Sequence, residues 1–158
     1  MLQQKITPFL WFDDQAEEAA RFYCSIFENS KVLDVARYPD GRVLTVNFEL
    51  EGLQFTGLNG GPEFGFTEAV SFAVSCKDQA EVDRLWDILT SNGGEESQCA
   101  WLKDRYGLSW QIVPEILPKL LGDPDPDRAN AVMQAMLQMR KIEIPVLEEA
   151  YDRVKAHA

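Results

Sequence analysis

Asp14-Gln15-Ala16-Glu17 returns 64 residues later as Asp78-Gln79-Ala80-Glu81. An apolar run leads into each copy: Ile6–Phe12 before the first, Ala69–Cys76 before the second. After the first copy Ala16, Ala19, Ala20, Tyr23, Ile26 and Phe27 fall on one stripe at helical spacing. After the second, Val82, Leu85, Trp86 and Leu89 take positions i, i+3, i+4 and i+7. Both helices open Asp-x-x-Glu. That is the spacing of a capping box, in which the aspartate accepts from amides of the first turn and the glutamate reaches back. Asp14 and Asp78 are therefore the expected N-caps. The first helix should fade at Glu28-Asn29-Ser30. The second should stop at Asn92-Gly93-Gly94, where glycine permits a left-handed residue.

Strand patterns follow each helix. Lys31–Tyr38, Arg42–Leu50 and Leu53–Leu58 come after the first, separated by the turns Pro39-Asp40-Gly41 and Glu51-Gly52. A short piece at Glu95–Ser97, then Cys99–Lys103 and Leu108–Val113, come after the second, with Asp104–Gly107 as the turn. Gly52-Leu53-Gln54-Phe55 and Gly107-Leu108-Ser109-Trp110 echo one another at an offset of 55. Each half thus reads β-α-β-β-β, and a duplication accounts for the shared order. The expected fold class is α+β: two tandem modules, about 5–60 and 68–114, within a single domain of residues 1–114. A helical tail, 115–158, packs on that domain or across a dimer. Pro114 ends the last strand, Glu115–Leu121 suits a short helix, and Gly122–Pro126 is a turn cluster. Asp127–Lys141 reads as a helix with Val132, Met133, Met136 and Met139 in a stripe, and Ile144–Ala156 as a last helix beginning around Pro145.

With 158 residues, 46% hydrophobic and 26% charged, the chain can build a core without staples. Fifteen basic against 26 acidic residues leave a net charge of −11, which repels phosphate and anionic lipid, so neither nucleic acid nor a membrane surface is an expected partner. No apolar run reaches the ~18 residues of a membrane span, and Met1–Phe9 lacks the layout of a signal peptide. The expected location is the cytoplasm. Cys24, Cys76 and Cys99 are odd in number without a Cys-x-x-Cys pair, as suits free, mostly buried thiols. The single histidine, His157, stands beside the C-terminus, which argues against a histidine triad or a histidine-rich zinc site.

Several stretches together resemble one family. They are Ile6-Thr7-Pro8-Phe9-Leu10-Trp11-Phe12 with Ala19-x-x-Phe22-Tyr23, Leu58-Asn59-Gly60-Gly61-Pro62, Ala69-Val70-Ser71-Phe72, and Trp101-x-Lys103-Asp104-x-Tyr106-Gly107-x-Ser109-Trp110-Gln111. They are similar to the PhnB-like branch of the vicinal-oxygen-chelate superfamily (glyoxalase I, extradiol dioxygenases, bleomycin- and fosfomycin-resistance proteins). That branch also carries the description 3-demethylubiquinone-9 3-methyltransferase domain. The resemblance implies two modules whose strands curl into a mixed-sheet cup around a cavity, usually in a homodimer. It also implies a metal held by inward residues of four strands.

Strand alternation gives the residues at those places. Leu10 and Phe12 should face the helices, leaving Thr7, Phe9 and Trp11 to the cavity. Val70, Phe72 and Val74 should face the helices, leaving Ala69, Ser71 and Ala73. The hairpin strands offer Gln54, Thr56 and Leu58 from one module, and Ser109, Gln111 and Val113 from the other. The positions matching the metal corners are Thr7, a residue near Thr56, Ala69 or Ser71, and Gln111. Hydroxyls and one amide bring neither the charge nor the basicity of imidazole, thiolate or carboxylate, so no metal and no cofactor is expected.

Leu58-Asn59-Gly60-Gly61 is the one stretch that could cradle a nucleotide-type methyl donor, and no helix pattern follows it; a connecting loop is the simpler reading. Cys99 has no visible base to activate it. The expected function is binding of a small molecule, or metal-independent catalysis of unspecified reaction. The alternatives are a metal-dependent lyase or dioxygenase with atypical ligands, an S-adenosylmethionine-dependent quinone methyltransferase, and an antibiotic-sequestering resistance protein.

Overall fold

Alternation decides which face of each strand meets a helix. In the computed structural model, which describes residues 4–155, Leu10 and Phe12 of β1 (Phe9–Phe12) are 6% and 3% exposed, whereas Phe9 is 63% exposed. The strand begins later than the run Ile6–Phe12 predicts, because Pro8 has no N–H for the ladder. Helix α1 (Ala16–Ile26) lays Ala16, Ala19, Ala20, Tyr23 and Ile26 on the buried side. Strands β2 (Lys31–Arg37), β3 (Val43–Leu50) and β4 (Leu53–Asn59) complete a sheet of order β1-β4-β3-β2. Val46, Phe48, Leu50 and Phe55 form its core with α1, and Phe48 stacks on Phe55 at 5.4 Å. Only β1 and β4 pair in parallel. These elements belong to a compact unit that ends at Phe66.

The unit beginning at Thr67 repeats the plan. Strand β5 (Ser71–Cys76) is followed by α2 (Gln79–Thr90), β6 (Glu95–Glu96), β7 (Trp101–Lys103) and β8 (Ser109–Pro114). The sheet order is β5-β8-β7-β6, with β5 parallel to β8. The same order in both units, with the same single parallel pair, is the structural form of the duplication. Val82, Leu85, Trp86 and Leu89 of α2 pack on Leu102, Trp110 and Ile112 in the buried core. Asp104 in the β7–β8 turn is 2% exposed. Its Oδ1 accepts from the Tyr106 and Leu108 amides, and its Oδ2 from Trp110 Nε1 at 2.9 Å.

Helices α3 (Ile116–Leu121), α4 (Pro126–Met136) and α5 (Ile144–Arg153) follow within the second unit. Leu117, Val132, Met139, Ile142 and Leu147 bury one another together with Ala100. Gln79 ties the segment between α4 and α5 to the start of α2: its Nε2 donates to the Ile142 carbonyl at 2.9 Å, and its Oε1 accepts from the Ile144 amide at 2.7 Å. No helix of the described residues is long and apolar enough to cross a membrane.

Several sequence expectations are corrected. Asp14 does not cap α1; Gln15 holds the N-cap position without a side-chain bond, and Asn59 Oδ1 of β4 accepts from the Ala16 amide at 2.8 Å. At α2 the predicted cap stands, with Asp78 Oδ1 accepting from the Glu81 amide at 2.9 Å. Val70 does not face a helix; it precedes β5 and is 63% exposed. Strand β7 begins at Trp101, because Cys99 and Ala100 take φ of 54° and 78° and leave the ladder. Their amides need other acceptors, and the carbonyls of Met139 and Arg140 supply them at 2.9 Å each. That is why α4 stops at Met136 rather than continuing to Lys141. His157 and the end of the last predicted helix at Ala156 lie outside the described residues.

Two outcomes follow from this packing. Gln79→Ala, which orphans two backbone groups, should lower unfolding free energy by about 1–3 kcal/mol in urea melts. Gln15→Ala, at the exposed copy of the same position, should stay within about 0.5 kcal/mol. Burial is the main cause that pushes the Cys76 thiol up to about 12, with Glu81 adding to it. Its thiolate is therefore scarce at pH 8, and iodoacetamide should label Cys76 only in denaturant; labelling of the folded chain would refute this.

Candidate functional site

The face of each sheet turned away from its helices carries most of the residues that alternation assigned to a cavity. On the first sheet the register sets Phe9 beside Thr56 and Trp11 beside Leu58, with Gln54 two residues before Thr56. Asn47 stands across from Thr56 on the other side, and Asp34 beyond Asn47. These three form a hydrogen-bonded row: Thr56 Oγ1 donates to Asn47 Oδ1 at 2.6 Å, and Asn47 Nδ2 donates to Asp34 Oδ1 at 2.9 Å. Thr56 is 3% exposed, so its hydroxyl needs that acceptor. Sequence reading selected Thr56 but not Asn47 or Asp34. The signal available was the alternation of Thr45, Asn47 and Glu49 opposite the buried Val46, Phe48 and Leu50.

Thr7 lies just before β1 and is half-buried. Gln54 is fixed through its backbone, whose amide and carbonyl pair with the Gln4 side chain at 3.1 and 3.0 Å; its own Oε1 is buried without a partner. Trp11 is committed to packing. Its Nε1 donates to the Gly61 carbonyl at 2.9 Å, Phe64 meets its ring edge-on at 4.9 Å, and any Cβ on Gly60 would overlap its indole.

On the second sheet Ser71 pairs with Ser109, and Gln111 with both Ala73 and Trp101. Gln111 Nε2 donates to Ser71 Oγ at 2.9 Å. Ser109 is fully buried, and its Oγ has no hydrogen-bond partner. Lys103, cross-strand from Ser109, forms an ion pair with Glu68. A hydrogen bond from Lys103 is the main cause holding the Glu68 carboxyl below its usual range. Ala69 is exposed ahead of the strand.

The first face presents a hydroxyl, amides and the Asp34 carboxylate, and the second presents hydroxyls, an amide and a Lys–Glu pair. Among the described residues no group of three or more His, Cys, Asp or Glu could hold a metal ion. The expected corners Thr7, Thr56, Ala69 or Ser71, and Gln111 do not fit a divalent transition metal.

A cleft of about 610 Å³ opens elsewhere in the first unit, lined by Asp13, Asp14, Glu17, Tyr38 and Arg42 among others. Glu17 and Arg42 are already paired. Glu17 accepts from Arg21 at 2.7 Å and Arg37 at 3.2 Å, and the Arg21 bond chiefly holds its carboxyl below the usual range. Arg42 pairs with Asp40 at 2.7 Å and lies over the Tyr38 ring at 5.2 Å. The loop Leu58-Asn59-Gly60-Gly61 borders this cleft and is spent on structure. Asn59 caps α1 and donates Nδ2 to the Val43 carbonyl at 3.2 Å; Gly60 makes room for Trp11. These residues do not form a cradle for a methyl-donor nucleotide.

The family described as 3-demethylubiquinone-9 3-methyltransferase matches residues 4–113. A PhnB protein from Bacillus cereus is 33% identical, over 70% of this chain and 99% of that one, with a TM-score of 0.65. A Pseudomonas aeruginosa protein at 17% identity (72% and 98% covered, TM-score 0.59) shares the fold. So does a fosfomycin resistance protein from Listeria monocytogenes at 16% (72% and 91%, TM-score 0.50). No curated protein matches this sequence. The match across both repeats, joined to the sheet order each unit adopts, makes this chain a member of the 3-demethylubiquinone-9 3-methyltransferase (PhnB-like) family of the vicinal-oxygen-chelate superfamily.

Proposed function

We propose that this protein binds small organic molecules, each on the open face of a single sheet, and does so without a resident transition metal. The family's fold supports a small-molecule-binding or enzymatic role. The observation that carries the narrower reading is the polar row Thr56–Asn47–Asp34, fixed by hydrogen bonds beside an aromatic ring, Phe9, that is 63% exposed. An ordered polar row flanked by uncovered apolar surface is the composition of a ligand site. Phe9, Gln54, Thr56 and Leu58 are the proposed contacts on the face of the first unit, with Thr7 at their border and Trp11 held in its own packing; on its own face the second unit offers Ser71, Ser109 and Gln111, bordered by Ala69. Hydroxyls and amides recognise through hydrogen bonds rather than coordination, so the ligand is a neutral or singly charged molecule with an apolar body. The partner is that ligand, together with a second copy of the chain.

Thermal denaturation against a metabolite panel tests the reading. A compound at 100 times its Kd adds about 2.7 kcal/mol, which raises Tm by roughly 5–10 °C in a chain of this size. Thr56→Val should remove most of that shift; a panel without hits, or an undiminished shift in the variant, would refute the proposed face. Elemental analysis should find below about 0.1 transition metal per chain; stoichiometric metal overturns the metal-free part. Light scattering should return twice the 17.9 kDa of one chain.

A further inference from the structure

We propose that the open face of the second sheet holds an oxyanion subsite, taking a ligand's carboxylate or equivalent group, built from Ser109, Ser71, Gln111 and Lys103, with Lys103 paired to Glu68 in this structure. The inference rests on the small-molecule reading of that face and names the chemistry of one end of the ligand.

Ser109 carries the argument. It is 0% exposed, yet its hydroxyl meets no partner, and a buried hydroxyl left unpaired costs stability. The offset of 55 between the two hairpins makes Gln54 its duplicate, and Gln54 Oε1 is also buried and unpartnered. In both copies this position leaves a polar atom on the open face for something else to meet.

The neighbours of Ser109 say what that is. Ser71 flanks it across the β5 pairing and Lys103 across the β7 pairing. Gln111 donates to Ser71 Oγ, so the Ser71 O–H remains to be given. Ser109, Ser71 and Lys103 are all donors on one row, and such a row wants an acceptor carrying negative charge. The acceptor present is Glu68, which reaches Lys103 from the segment before β5. A ligand's carboxylate would compete with it for Lys103. With side-chain exposures of 37% and 58%, the Lys103–Glu68 pair is a surface ion pair, weak enough for a ligand to displace. Trp101, half-buried opposite Gln111 on the same face, supplies an apolar wall for the rest of the molecule.

The test uses the full chain, with sodium acetate as probe and sodium chloride at equal ionic strength as control. It follows the amide resonances of Glu68, Ser71, Lys103 and Ser109–Gln111 by two-dimensional NMR. Acetate should shift these signals saturably and chloride should not. Glu68→Gln, which removes the internal competitor, should tighten acetate binding about threefold or more. Ser109→Ala should weaken it about threefold to tenfold, and Lys103→Met should abolish saturation. Equal responses to the two salts, or an acetate affinity indifferent to Glu68→Gln and Ser109→Ala, overturns the subsite. A metabolite whose stabilisation survives Ser109→Ala and Lys103→Met leaves the small-molecule reading standing and removes this inference alone.

Discussion

Each unit depends on one constraint: its first strand pairs in parallel with its last, β1 with β4 and β5 with β8. A parallel pair needs a crossover, and the helix that makes it must lie on one side of the sheet. That side then takes the apolar set, Leu10, Phe12, Val46, Phe48 and Phe55 in one unit and Leu102, Trp110 and Ile112 in the other. The side-chain period is two, so a slip of a single residue would bring Thr56 and Ser109 under the helices and turn Phe55 and Trp110 to the opposite face. Register thus creates the open faces, and their polarity follows from it.

Duplication supplied the frame, and divergence at matched positions gave each copy separate work. Asn59 ends β4 and caps α1, whereas its counterpart at the offset of 55 is Pro114, which offers no side-chain acceptor. In that copy the cap comes instead from Asp78, the residue that begins the repeated tetrapeptide. Gln15 is exposed, while Gln79 binds the connection into α5 through two hydrogen bonds. Thr56 has an acceptor in Asn47; Gln111, its match, donates to Ser71. At the position preceding these two on the strand face, both copies leave a buried polar atom without a partner, Gln54 Oε1 in the first and Ser109 Oγ in the second.

The same contrast explains the charges. The cleft beside α1 is rich in acidic groups, but Glu17 is held by two arginines and Arg42 by Asp40 and Tyr38. Charges spent on one another at partial exposure add little stability and little recognition. On the second open face the ion pair belongs to Lys103, cross-strand from a buried hydroxyl that has no partner.

Local rules made much of this legible before any coordinates. Periodicity placed the helices, turn residues the hairpins, and alternation the helix-facing residues Leu10, Phe12 and Phe72, because each depends on neighbours a few positions away. The family and its doubled fold were legible from the same stretches. Tertiary structure alone decided the cap of α1, because its acceptor, Asn59, is 43 residues from Ala16. It also decided the break at Cys99 and Ala100, whose amides are met by carbonyls 40 residues on, and the commitment of Trp11 to Gly60, Gly61 and Phe64. Hydrogen-bond satisfaction is settled across space and not along the chain. Which polar groups are paired, and which are left over, is written only in the folded molecule.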